Sequence, residues 1–241
     1  WKLEFEDGRV MDGDKAEHIR EAAAVISQYA DVIGIRTFPD LDDRHRDYQD
    51  LVLKRFIEFA TVPVVSLESA TRHPLQSLAD WMTIEEYRKT ERPKVVLSWA
   101  PHPRALPQSV PNSFVEWLAR AEVDLLITHP EGCELAPEFA DGIPVVYDQD
   151  QAFEGADFIY AKNWSSYREY GKIAKPKKDW KITTDKMKRT NDAFFMHCLP
   201  VRRNVVVADE VLQSDHSLHL HQADNRTHAA QAVLEWLLKS R

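Results

Sequence analysis

Val32-Ile-Gly-Ile-Arg36 and Val62-Pro-Val-Val-Ser-Leu-Glu68 are two short apolar runs, each ending at a charged residue. Between them lie a charged loop, Asp40 to Asp47, and a segment that sets Val52, Phe56, Phe59 and Ala60 on one helical side. Strands that are apolar on both faces, alternating with helices, predict a parallel sheet covered by helices. On the N-terminal side, Asp14 with Glu17 three residues on has the spacing of a capping box. It heads a predicted helix with Ile19, Ala22, Ala23, Ile26 and Ala30 on its apolar face. On the C-terminal side, Pro74 suits the first position of a long helix whose buried stripe is Leu75, Leu78, Ala79 and Met82. This helix ends near Thr90-Glu-Arg-Pro93, the expected domain boundary.

The pattern then restarts. Lys94 to Trp99 reads as a strand, and the following stretch with Pro101, Pro103, Pro107 and Pro111 reads as loop. Ser113 with Glu116 reads as a second capping box, heading a helix with Phe114, Trp117, Leu118 and Ala121 inward. Strands are expected at 124–128, 144–147, 158–161 and 193–196, and a last one at Ser217 to His221. A terminal helix, Asn225 to Lys239, should turn Ala229, Val233, Trp236 and Leu237 inward. The fold class expected is α/β, two doubly wound parallel-sheet domains joined by interdomain helices. Their spans are 1–92, 93–222 and a C-terminal helix, 223–241, packing back on the first domain.

With 44% hydrophobic and 29% charged residues, the chain has an ordinary globular composition, which excludes disordered and fibrous classes. It holds no run of 18 apolar residues, so no membrane helix is expected. Cys133 and Cys198 suggest no disulfide framework and point to a cytoplasmic setting. A net charge of −8 with no basic stripe argues against nucleic acid as partner. No Gly-x-Gly-x-x-Gly or P-loop occurs, so neither a nicotinamide nor a nucleotide cofactor is expected. His216, His219 and His221 resemble a metal cluster, but only two of them would share a strand face, and no metal is expected. The chain opens in mid-pattern at Trp1 and is expected to be N-terminally incomplete.

Arg36, Glu68, His73 with Gln76, Lys162 and the run Cys198 to Arg203 all sit at or just beyond the C-terminal end of a predicted strand, where open α/β sheets bind ligands. Each alone reads more readily as a loop residue or cap. Together, one imidazole, one carboxylate and several cations at one edge point to a site. His73 is either a plain helix cap or a neutral imidazole aimed, with the helix dipole, at an anion or oxyanion. Cys198 reads as a binding residue rather than a nucleophile, since no partner base accompanies it. Pro200 keeps Leu199 out of a helix, so the carbonyls of Cys198 and Leu199 stay free for a ligand amine. Arg202 and Arg203 follow, both able to hold an anion.

Two motifs in this order, His73-Pro-Leu-Gln76 and His197-Cys-Leu-Pro-Val-Arg-Arg203, resemble the signatures of the aspartate and ornithine carbamoyltransferases. Met11-Asp-Gly-Asp14, Glu68-Ser-Ala-Thr-Arg72, Trp99-Ala-Pro-His-Pro103 and Tyr160-Ala-Lys-Asn-Trp164 are similar to the branch that acts on N-acylornithine. The resemblance implies transfer of a carbamoyl group from carbamoyl phosphate to the δ-amine of the acceptor, in arginine biosynthesis, with no cofactor. It implies that Trp1, Arg36, His73, Pro74, Leu75, Gln76, Cys198, Leu199 and Arg226 surround carbamoyl phosphate, Trp1 coming from a neighbouring subunit of a homotrimer with shared sites. The catalytic roles fall to His73, Arg36, Cys198 and Leu199. Ala16, Glu68, Lys162, Cys198, Leu199 and Arg202 would hold the acylornithine. In this branch a glutamate at the position of Ala16 accompanies an acetyl group, whereas a small residue there accompanies succinyl, whose extra carboxylate a glutamate would repel. N-Succinylornithine is therefore the expected acceptor, giving N-succinylcitrulline, with N-acetylornithine or ornithine as the alternatives. The family's Ser-x-Arg-Thr-Arg phosphate motif, which should precede Trp1, is not in the chain, which leaves a non-catalytic binding module as a further alternative.

Overall fold

The computed structural model describes residues 2–173 and 178–239; Trp1 lies outside them. The first half contains β1 (Leu3–Glu4), β2 (Glu17–His18), α1 (Ile19–Ser27), β3 (Ile33–Arg36), α2 (Arg44–Asp47), α3 (Leu51–Phe59) and β4 (Val64–Glu68). β3 and β4 pair in parallel, and Ile19 and Ala23 of α1 pack with Phe56 of α3 beside them. The capping box at Asp14 does not form. Residues 17–18 pair with Leu3–Glu4 and are extended, so the helix starts at Ile19, where His18 accepts from the Arg20 amide at 3.2 Å.

α4 (Pro74–Tyr87) leads into the second half, which contains β5 (Lys94–Trp99), α5 (Ser109–Leu118), β6 (Asp124–Thr128), α6 (Pro137–Ala140) and β7 (Val145–Val146). There follow α7 (Gln149–Phe153), β8 (Phe158–Lys162), α8 (Thr184–Met187), β9 (Phe194–Met196), α9 (Asp209–Leu212) and α10 (His219–Lys239). The sheet order is β7-β6-β5-β8-β9, all parallel. Val95 and Leu97 of β5 enter one core with Phe114, Tyr160 and Trp164, and Val96 between them enters another with Phe153, Ile159 and Phe195. Strict alternation into two cores is what a sheet covered on both faces requires.

Further expectations from the sequence are corrected. α5 begins at Ser109, not Ser113, because Pro111 falls in the first turn, where no amide donor is needed. Ser217 makes only an isolated bridge with Phe195, and α10 begins at His219, so the last predicted strand is the start of a helix. Trp236 is 68% exposed rather than inward, while Ala229 is buried. The buried side of α4 is also largely polar: Gln76, Ser77, Asp80 and Thr83 are buried, and Leu75, Leu78 and Met82 only partly so. The reason is α10, which lies along α4 and presents Gln222 and Asn225. Asn225 donates to Thr83 Oγ1 at 3.0 Å and Glu86 Oε2 at 2.8 Å.

The two halves also meet through loops. Arg44 donates to the Tyr167 carbonyl at 2.7 Å, and the Tyr170 hydroxyl donates to Asp47 Oδ2 at 3.0 Å. Gly171 closes this contact at φ +71°, with the Leu41 carbonyl oxygen 1.7 Å from where a Cβ would stand, so no other residue fits.

Candidate active site

β3 and β4 end side by side, so Arg36 and Glu68 are direct partners in the register. Arg36 donates to Glu68 Oε2 from Nη2 at 2.8 Å and from Nε at 3.1 Å. The other carboxylate oxygen accepts from Ser109 Oγ at 2.9 Å, at the first residue of α5. Glu68 is thus a buried anion held by one charged and one neutral group, and it orients Arg36, which stays half exposed.

The loop after β4 is shaped by Asp50, which accepts from the Ser69 hydroxyl at 2.9 Å, the Ala70 amide at 2.9 Å and the Thr71 hydroxyl at 2.5 Å. It delivers His73 to the start of α4, where the His73 amide donates to Ser113 Oγ at 2.7 Å. The His73 ring caps nothing: Nδ1 is buried without a hydrogen-bond partner, and Nε2 lies 3.8 Å from Glu68 Oε2. Burial lowers its pKa to about 4 against the opposing pull of Glu68, so the ring is neutral near pH 7. Of the two readings of His73, the cap is excluded by this geometry.

At the end of β9, His197 is buried; its amide donates to Gln222 Oε1 at 2.9 Å, and its Nδ1 accepts from the Leu199 amide at 2.9 Å. Leu199 sits at φ +54°, outside the right-handed helical region as expected, and is joined to Pro200 by a cis peptide. The outcome for the carbonyls is unchanged: among the described residues, no hydrogen bond ends on the Cys198 or Leu199 carbonyl. Burial raises the Cys198 pKa, so its thiol stays protonated and is unsuited to nucleophilic attack. Arg202 lines the same region and donates to His102 Nε2 at 3.1 Å. Arg203 turns away to Asp209 at 2.9 Å, so only one of the two adjacent arginines serves the site.

These groups converge on a single cavity of about 630 Å³, within the usual range for small-molecule sites. Arg36, Glu68, His73, Gln76, Lys162, Cys198, Leu199, Arg202 and Arg226 all line it. Lys162, at the end of β8, has no carboxylate partner among the described residues. Pro74 and Leu75 are not in the lining, and Ala16 is exposed on the N-terminal segment away from it. Sequence reasoning missed Ser109, which the misplaced start of α5 concealed. His102 carried no role in that reading, yet it lines the cavity and its Nε2 accepts from Arg202. His216, His219 and His221 disperse to Asp192, Ser217 and Glu86.

Burial lowers His197 further, to about 3, and raises the fully buried Asp80 to about 7. Both histidines bind a proton more readily in the unfolded chain, near 6.5, so each loses stability as pH falls below that value. Asp80 binds a proton more readily in the fold and opposes the loss between about 7 and 3.8. These three groups together give a decline of about 1.4 kcal/mol per pH unit between pH 6.5 and 4, the equivalent of one histidine, and His102, His129 and His219, also lowered by burial, add to it in the same direction. Denaturant unfolding at pH 7, 5.5 and 4.5 checks it, and a flat profile would contradict neutral burial of both rings.

Two family models match the chain: the carbamoyl-P binding domain of aspartate/ornithine carbamoyltransferase over residues 2–86, and its Asp/Orn binding domain over 107–237. An N-succinylornithine carbamoyltransferase of Bacteroides thetaiotaomicron is 55% identical across 99% of this chain and 76% of its own length. An N-acetylornithine carbamoyltransferase of Xanthomonas campestris is 36% identical across 99% of this chain and 76% of its own length. Among solved structures, an N-acetyl-L-ornithine transcarbamylase with a glutamate replaced by alanine, complexed with carbamyl phosphate and N-succinyl-L-norvaline, superposes with a TM-score of 0.92. It is 36% identical over 98% of this chain and 77% of that one.

Proposed function

Given that the chain belongs to the aspartate/ornithine carbamoyltransferase family and is a carbamoyltransferase of arginine biosynthesis, we propose that its acceptor is the δ-amine of N-succinylornithine and its product N-succinylcitrulline. The observation that carries the site is the meeting, in one cavity, of neutral His73, Arg36 and the unused carbonyls of Cys198 and Leu199. The amine nitrogen forms the new C–N bond to the carbamoyl carbon, the bond from that carbon to the phosphate oxygen then breaks, and the proton the amine loses leaves on the phosphate. The Leu199 carbonyl accepts from the attacking amine and aims it. His73 and Arg36 stabilise the oxyanion that develops on the carbamoyl oxygen. Gln76, Cys198, Leu199 and Arg226 hold carbamoyl phosphate, while Glu68, Lys162 and Arg202 hold the acylornithine. Bringing both substrates together in a fixed geometry supplies most of the remaining acceleration.

The domain division at 92/93 is supported by the restart of strand pattern at Lys94, and the return of 223–241 by α10 lying along α4. For a homotrimer in which Trp1 reaches a neighbour's site, support comes from exposed apolar side chains in the first half, such as Tyr29 and Ile57; Ala16, exposed away from its own chain's cavity, would act on a neighbour's site in the same way. The cytoplasmic setting is supported by Cys133 and Cys198, which form no disulfide. No helix among the described residues is long and apolar enough to cross a membrane.

Acceptor choice is tested by offering equal concentrations of N-succinylornithine, N-acetylornithine and ornithine and identifying products by mass. N-Succinylcitrulline is expected to dominate. Ala16→Glu is expected to lower the succinyl rate relative to acetyl by roughly tenfold or more, about 1.4 kcal/mol of like-charge repulsion. An unchanged ratio in the variant would remove Ala16 from the specificity argument.

A further inference from the structure

Asp80 is fully buried on α4, one turn beyond Gln76, and the reaction scheme above gives it no part. Its Oδ1 accepts two hydrogen bonds, from Gln76 Nε2 at 2.7 Å and from Gln222 Nε2 at 2.6 Å. Gln222, on α10, uses its own oxygen to accept from the His197 amide at 2.9 Å. A continuous chain of bonds therefore runs from the cavity-lining Gln76 through Asp80 and Gln222 to the backbone of the His197–Leu199 turn.

A carboxylate at a fully buried position carries a large desolvation cost, and a well-packed apolar residue there would serve helix packing at least as well. What an apolar residue could not do is choose which end of the Gln76 carboxamide faces the cavity. With the nitrogen held by Asp80, the oxygen is the end left for a ligand, as an acceptor. An acceptor is what the amino group of a carbamoyl moiety needs, because that group only donates. A flipped carboxamide would set donor against donor.

We infer that Asp80 is a positioning residue, holding Gln76 with its oxygen toward the carbamoyl amino group and, through Gln222, locking that oxygen in register with the His197–Leu199 turn. The inference rests on the carbamoyl-transfer reading. It also states what the network discriminates: a carbamoyl group from bare phosphate, which offers no N–H pair.

The test measures binding of carbamoyl phosphate and of inorganic phosphate by calorimetry, in the unaltered protein and in Asp80→Ala and Asp80→Asn. Asp80→Ala is expected to weaken carbamoyl phosphate tenfold or more and to leave inorganic phosphate within about twofold. Asp80→Asn, whose side-chain oxygen still accepts from both carboxamides, is expected to stay within about threefold for both. Should the alanine chain not fold, Asp80→Ser takes its place, its short hydroxyl reaching neither carboxamide. Equal weakening of both ligands, or no weakening of either, overturns the positioning role and leaves Asp80 as a packing residue. No binding of carbamoyl phosphate by the unaltered protein overturns the reading of the site itself, a result distinct from the first two.

Discussion

His73→Ala is expected to lower kcat by about 10²- to 10³-fold, the usual loss when one donor to a developing oxyanion is removed. The reason lies in how the ring is held. Ser113 fixes its backbone, so the imidazole is not needed as a helix cap, and Nδ1 is buried with no protein partner. A neutral ring can donate N–H without bringing in a second charge, and burial keeps it neutral down to about pH 4. Activity between pH 6 and 8 should therefore show no titration assignable to His73. His73→Asn, which retains a side-chain donor, should recover part of the loss. Steady-state phosphate release measures all of this, and normal turnover by the alanine variant would end the oxyanion assignment.

Arg36→Ala is expected to cost at least as much, about 10²- to 10³-fold in kcat/KM, because the residue proposed to stabilise the oxyanion also neutralises Glu68. Two of its nitrogens meet one Glu68 oxygen, and the other oxygen is bound by Ser109, so removing Arg36 leaves a buried carboxylate without a cation. Folding should weaken along with activity, by about 1–3 kcal/mol. Arg36→Lys is expected to restore stability more than rate, since an ammonium supplies charge without the guanidinium's two directed donors. The comparison needs kcat/KM and unfolding free energy on all three proteins. A lysine variant with full activity would show that charge alone suffices.

The ends of the strands were legible from sequence because a parallel strand buried on both faces must be apolar, and its first polar residue marks the edge. Arg36, Glu68, Lys162 and the turn after Met196 were found that way, and all line one cavity. What could not be read depends on distant partners. Ser113 has the pattern of a helix cap, yet its hydroxyl serves His73, 40 positions away. The polar side of α4 reads as solvent-facing until α10 supplies Gln222 and Asn225. His219 and His221 alternate as in a strand, but they open a helix, and only the packing of that helix on α4 decides between the two. The conformation of Leu199 depends likewise on the His197 ring that accepts its amide.

The central claim is that this cavity moves a carbamoyl group onto the δ-nitrogen of N-succinylornithine. Carbon-13 carbamoyl phosphate incubated with the enzyme and N-succinylornithine tests it most directly, with product carbon followed by NMR and phosphate release measured in parallel. The account predicts that the label appears in the δ-ureido carbon of N-succinylcitrulline, one equivalent per phosphate released. Phosphate release without label in that carbon, or no acceptor-dependent release when N-acetylornithine or ornithine supports it, would contradict it.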